Sequence, residues 1–198
     1  MKKAKVLNTR NLVLLALLTA IVVVLQLLGA FIRFGPFSIS LVLMPIAVGS
    51  ALIGAYAGGW LGLVFGLVVL LSGDAGPFLM VNPVATVFVV LLKGALAGLA
   101  SGWVYKLIEK KSKTVAAIIA AAVCPIVNTG LFIIGCYLFF LPTLTEWGVA
   151  SGAVNVTAYI FVILVSANFL VELGINLLLS PTIVRLIQYG QDRRKVAV

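Results

Sequence analysis

From Asn11 to Ala30 the chain runs for twenty residues without a charged side chain. A helix of that length covers about 30 Å, the thickness of the hydrocarbon core of a bilayer. Five further apolar runs follow, at about residues 40–55, 58–71, 83–105, 114–140 and 153–188. Lipid offers no partner to a backbone N–H or C=O, so each run is predicted to be a helix that satisfies its own groups. Of the 198 residues, 63% are apolar and 10% charged, against about 45–50% and about 25% in soluble domains. A soluble globule of this size could not cover so much apolar surface, which excludes a soluble enzyme or nucleic-acid module. Six spans consume roughly 120 residues and leave short loops and tails. The expected fold is an all-α integral membrane protein, a six-transmembrane-helix bundle forming one membrane domain over residues 1–198.

The charges orient it. Twelve of the fourteen basic residues fall in three clusters: Lys2, Lys3, Lys5 and Arg10; Lys106, Lys110, Lys111 and Lys113; and Arg185, Arg193, Arg194 and Lys195. With six spans all three clusters lie on one side, and Arg33, Asp74 and Glu146 on the other. Basic residues mark the cytoplasmic face, so both termini are expected in the cytoplasm. Five or seven spans would scatter the same residues to both sides. The N-terminal apolar run is too long for the core of a signal peptide and is expected to be retained as a span. The setting this implies is a multi-pass protein of a bacterial-type plasma membrane, in contact with lipid and not with nucleic acid.

Chemistry is sparse. The chain has no histidine and only two cysteines, Cys124 and Cys136, in one apolar run. That argues against a disulfide framework, a metal site and a cofactor. Three connections on the outer side, Arg33-Phe-Gly-Pro-Phe-Ser, Ser72-Gly-Asp-Ala-Gly-Pro and Leu141-Pro-Thr-Leu-Thr-Glu-Trp-Gly, carry the Gly and Pro punctuation of turns. They are either the closure of an outward-facing pocket or ordinary turns between helices.

Polar groups inside spans are expensive and point to function. Lys93, Asn128 and Asn168 stand near the middles of three different predicted spans, and Asn168, Glu172 and Asn176 follow one another at intervals of four. That spacing keeps the three on one helical face, which must point into the bundle. Two readings stay open: Lys93 and Glu172 neutralise each other while the asparagines glue helices together, or the set reads a small polar solute. Gln26 and Arg33 are candidates to join it from the outer side. In the first span Ala16 and Ala20 leave a shallow groove for another helix, and Gly58, Gly62 and Gly66 make a similar row, which close packing inside the bundle also explains.

With its size, its six spans behind a basic N-terminus, Ala16 and Ala20 in span 1, Gly35-Pro36-Phe37-Ser38 in the first outer loop and the Asn168, Glu172, Asn176 run, the chain resembles the substrate-binding S components of energy-coupling factor (ECF) vitamin transporters. The resemblance implies a subunit that binds a vitamin on the outer side. It further implies docking on a transmembrane coupling subunit with two cytoplasmic ATPases, and toppling to release the cargo. It places Ala16 and Ala20 at the coupling subunit, and Lys93, Asn128 and Asn168 in the pocket. The chain has no phosphate loop of the Gly-x-x-x-x-Gly-Lys-Ser/Thr type, so energy must come from those partners.

A cation at Lys93 suits a ligand carboxylate and the amides suit hydroxyl and amide groups. Pantothenate carries all three; folate, biotin and riboflavin are the other candidates, riboflavin with Phe34, Phe37 and Phe78 as stacking rings. A stand-alone channel or secondary transporter is the competing class. An enzyme is not expected, since no nucleophile–base pair or metal set is in view.

Overall fold

Asn82 and Ser112 start the two longest helices. The Asn82 side chain accepts a hydrogen bond from the Ala85 amide at 3.1 Å, with proline in the first turn, and Ser112 accepts from Val115 at 3.4 Å. Each satisfies a backbone donor that the first helical turn leaves open. The structure, a computed structural model, describes residues 9–29, 33–34, 37–38 and 41–179 together with Thr182 and Arg185. The expected basic groups at Lys2, Lys3, Lys5, Arg193, Arg194 and Lys195 lie outside the described residues.

In chain order the elements are α1 (Thr9–Gly29), a two-residue strand pair β1 (Arg33–Phe34) and β2 (Phe37–Ser38), α2 (Leu43–Leu52), α3 (Ala55–Leu71), α4 (Gly76–Val81), α5 (Pro83–Ile108), α6 (Lys113–Phe139), α7 (Leu141–Ala150) and α8 (Val156–Leu178). The strands are antiparallel, with Arg33 opposite Ser38 and Phe34 opposite Phe37. Four helices, α1, α5, α6 and α8, are long and apolar enough to cross a bilayer, while α2 and α3 are shorter apolar helices. The expected spans at 83–105 and 114–140 match α5 and α6 closely. The one at 40–55 contracts to the ten residues of α2, and the described helix of the last span begins at Val156 and ends at Leu178.

Helices α3 and α5 run antiparallel along a glycine seam. Gly58 faces Gly98, Gly62 faces Gly94, and Gly66 faces the Val90 carbonyl. A Cβ on Gly58 would stand 2.5 Å from the Gly98 oxygen, so the two backbones touch where a side chain would otherwise stand. The Gly58, Gly62, Gly66 row therefore packs within the bundle. Lipid supplies no hydrophobic force between helices, and close approach is what holds them. Buried α2 lies against α3, α5 and α6. A polar chain ties this layer together: Ser50 Oγ lies 3.2 Å from Ser101 Oγ, which also contacts the Ala120 carbonyl oxygen at 2.9 Å.

Contacts along α1 fix its direction. Trp60 Nε1 donates to Thr19 Oγ1 at 3.3 Å, and further on Gln26 Nε2 donates to Asp74 Oδ2 at 2.8 Å, so α1 runs parallel to α3. Arg10 therefore shares an end of the bundle with the loop between α5 and α6 that carries Lys110 and Lys111. The opposite end holds α4, the start of α5, the end of α6, α7 and the start of α8. Phe78, Phe140, Leu144, Tyr159 and Ile160 form its apolar core.

The expectation of a plain turn at Leu141 to Gly148 is corrected: the segment is helix α7. Its proline occupies the first turn, where a missing N–H costs no intrahelical bond. Likewise, the turn at Ser72 leads directly into the six-residue α4, with Pro77 in its first turn. In α8 the stretch Tyr159–Val165 is π-helical, a wide turn of the kind that recurs beside functional sites.

Candidate ligand-binding site

Six helices (α1, α3, α4, α5, α6 and α8) and the turn before α4 converge on a cavity at the end remote from the lysine loop. From α5 come Thr86, Val89, Val90 and Lys93, spaced three, four and seven apart and hence on one face. From α6 come Asn128, Thr129 and Phe132, and from α8 Leu164, Val165, Phe169 and Glu172, the first two at the end of the π-helical stretch. Gln26 of α1 joins them, with Phe65 and Val69 of α3, Asp74 of the turn before α4 and Phe78 of α4 itself. The cavity has a volume of about 110 Å³, several times the ~10–15 Å³ that admits one water. Its walls are mostly aromatic and aliphatic with a few polar groups, the usual make-up of a small-molecule site.

Gly73 has a φ of 83°, a conformation glycine adopts without steric cost, and the chain turns there so that Asp74 is buried in the protein. Its Oδ2 accepts from Gln26 Nε2 at 2.8 Å. Lys93 lies half-buried, with its ammonium 5.1 Å from the centroid of the Phe132 ring, within the range of a cation–π attraction. Glu172 and Asp74 both attract that ammonium through space. Phe132 in turn meets Phe78 edge to face at 5.6 Å, and Phe78 meets Phe140 at 5.0 Å and Trp147 at 5.7 Å. One aromatic cluster thus links the cation to α7 above it.

Of the residues singled out in the sequence, Lys93, Asn128, Glu172 and Gln26 line this one cavity. Asn176 does not. It is buried, and its Nδ2 donates to the Glu172 backbone carbonyl at 2.8 Å. Asn168 lies in α8 and Arg33 in β1, but their side chains are outside the described residues. Ala16 and Ala20 sit on the exposed face of α1. Among the lining residues not anticipated are Asp74, Thr86, Thr129, Phe132 and Phe169. The register from Lys93 back to Thr86, two helical turns, was the available signal for the second. For Asp74 it was an acid flanked by small residues between two apolar helices.

A family model described as "ECF transporter, substrate-specific component" matches residues 10–184. The chain belongs to this family. Its members are transporter S components and not enzymes, and the apolar helices accord with a multi-pass membrane protein. Among curated proteins the chain is similar to the pantothenic acid transporter PanT of Lactococcus lactis subsp. cremoris (strain MG1363), 29% identical over 201 residues, covering 93% of this chain and 95% of that one. Among solved structures it shares the fold of ThiT from Listeria monocytogenes, with a TM-score of 0.63 and 23% identity over 91% of this chain and 99% of that one.

Proposed function

We propose that this S component captures a small water-soluble vitamin, pantothenate first among the candidates, from outside the cell. It then delivers the vitamin inward when docked on a transmembrane coupling subunit with two cytoplasmic ATPases. The observation that carries the proposal is the convergence of Lys93, Asn128, Gln26, Asp74 and Glu172 on one cavity at the end away from the lysine loop. With that loop and both termini on the cytoplasmic side, six crossings result and the cavity faces out. Lys93 holds the ligand carboxylate, while the amides and carboxylates of the wall take its hydroxyl and amide hydrogens. The similarity to a pantothenic acid transporter over 93% of the chain supports that choice of ligand. Arg33 and Asn168 are proposed to complete the site, and Asn176 to brace Glu172 from the turn below. The exposed Ala16 and Ala20 give the coupling subunit a shallow groove.

Native mass spectrometry of the purified protein tests this directly. The expected result is a bound mass equal to that of pantothenate, reproduced by titration calorimetry on stripped protein. Rapid flux of pantothenate through liposomes holding this chain alone would overturn the proposal in favour of a channel or secondary transporter.

A further inference from the structure

The cavity wall is rich in hydrogen-bond acceptors, and one of them is held in place. Gln26 is 2% exposed, and its Nε2 donates to Asp74 Oδ2. An ionised carboxylate only accepts, so this bond fixes which end of the amide is nitrogen. Gln26 Oε1 is left facing no donor, and Asn128, 6% exposed on α6, also has an Oδ1 without one. Both side chains line the cavity beside the carboxylates of Asp74 and Glu172. Thr86 adds no free hydrogen, because its hydroxyl donates to the Asn82 carbonyl at 2.8 Å. Buried acceptors without partners weaken a structure until a donor arrives.

We infer that Asp74 is a positioning residue for ligand choice: by holding the Gln26 amide through its nitrogen, it reserves a carbonyl oxygen for a hydroxyl or amide hydrogen of the ligand. The cavity then selects carboxylates that carry such donors over equally sized carboxylates that lack them. This rests on the cavity being the ligand site proposed above.

Titration calorimetry compares pantothenate with a deoxy analogue in which hydroxyls are replaced by hydrogen. The wild-type protein is expected to favour pantothenate by about 5- to 150-fold for each acceptor left unpaired. In Asp74→Asn the amide of Gln26 is free to turn over, and the preference should shrink to within about threefold. Gln26→Met, which removes the acceptor at similar volume, should do the same and serves if the first variant does not fold. Lys93→Ala should weaken both ligands alike and leave the preference intact, whereas a merely structural role for Asp74 predicts that Asp74→Asn, too, weakens both alike and keeps the preference. Equal binding of pantothenate and its deoxy analogue by the wild type overturns the inference while the proposed function stands. If pantothenate fails to bind but biotin or folate does, the choice of vitamin is wrong. The inference then survives only if a donor-lacking analogue of that ligand is discriminated by the wild type and not by Asp74→Asn. No binding of any of the three, nor of riboflavin, overturns both.

Discussion

Replacing Gly62 with alanine sets a methyl group on the Gly94 carbonyl oxygen, and no flexible side chain is there to swing aside. At Gly58 the same addition lands 2.5 Å from the Gly98 oxygen, so α3 and α5 must part by about 1 Å to reach the ~3.5 Å optimum for contact. A gap of ~0.5–1 Å forfeits roughly a quarter to a half of each dispersion contact, and the loss extends along the seam. Overpacking of this kind costs about 1–3 kcal/mol. The upper end applies here, because the obstacle is backbone and lipid offers no hydrophobic compensation. Alanine returns about 1 kcal/mol through its better helix propensity, which leaves Gly62→Ala a net loss of about 2 kcal/mol. Gly130 on α6 has nothing within 4 Å of its added Cβ, so Gly130→Ala should gain up to about 1 kcal/mol. Unfolding in mixed micelles with rising detergent denaturant, followed by tryptophan fluorescence, measures both. The ligand affinity of Gly62→Ala should fall as well, since the residue before Gly94 is Lys93. If Gly62→Ala unfolds at the wild-type midpoint while Gly130→Ala behaves as stated, the seam is not the contact that joins these helices.

Lys93→Ala should lower pantothenate affinity by about 10- to 150-fold, the equivalent of one hydrogen bond to a charged group; unchanged affinity in calorimetry moves the anion site elsewhere. Ala16→Trp with Ala20→Trp should abolish pull-down of the coupling subunit and ATP-driven uptake, with vitamin affinity kept within about threefold. Loss of ligand binding in that variant would show that the groove packs inside this chain. Single cysteines at Gly76 and Glu146 should react with an impermeant reagent added outside intact cells, and one at Lys111 should not; outside labelling at Lys111 would remove the six-span topology.

The long helices were legible because each is an apolar run long enough to cross a bilayer, while the caps that set where two of them begin came from the structure. Asn82 followed by proline starts α5, and Ser112 starts α6. Helix α7 was not legible, since proline and threonine at its start read as turn signals until a first-turn position is known. In the site, Lys93, Asn128 and Glu172 declared themselves because charges and amides are costly among apolar neighbours. Asn176 declared itself equally, yet a spacing of four also carries a side chain ~6 Å along the axis, one turn away from its partner. Asp74 stayed hidden, because an acid between a glycine and an alanine looks like a solvated loop, and only the turn at Gly73 shows it pointing inward to Gln26. Phe132 and Phe169 were indistinguishable from the many aromatics that merely pack.

Helix α2 has ten residues and so covers about 15 Å, half of the hydrocarbon thickness of about 30 Å. Eight of those ten are buried, which means that lipid never becomes its solvent. Such a segment cannot be stabilised in the bilayer on its own during biogenesis, as a full-length span can. It enters joined to α3 through Gly54, whose φ of 134° sets the reversal between them, and it reaches its final place only when α5 and α6 are there to enclose it. Membrane integration and tertiary folding are therefore one event for this part of the chain. A translation product halted before α6 should hold α1 firmly and leave α2 accessible to water-soluble reagents.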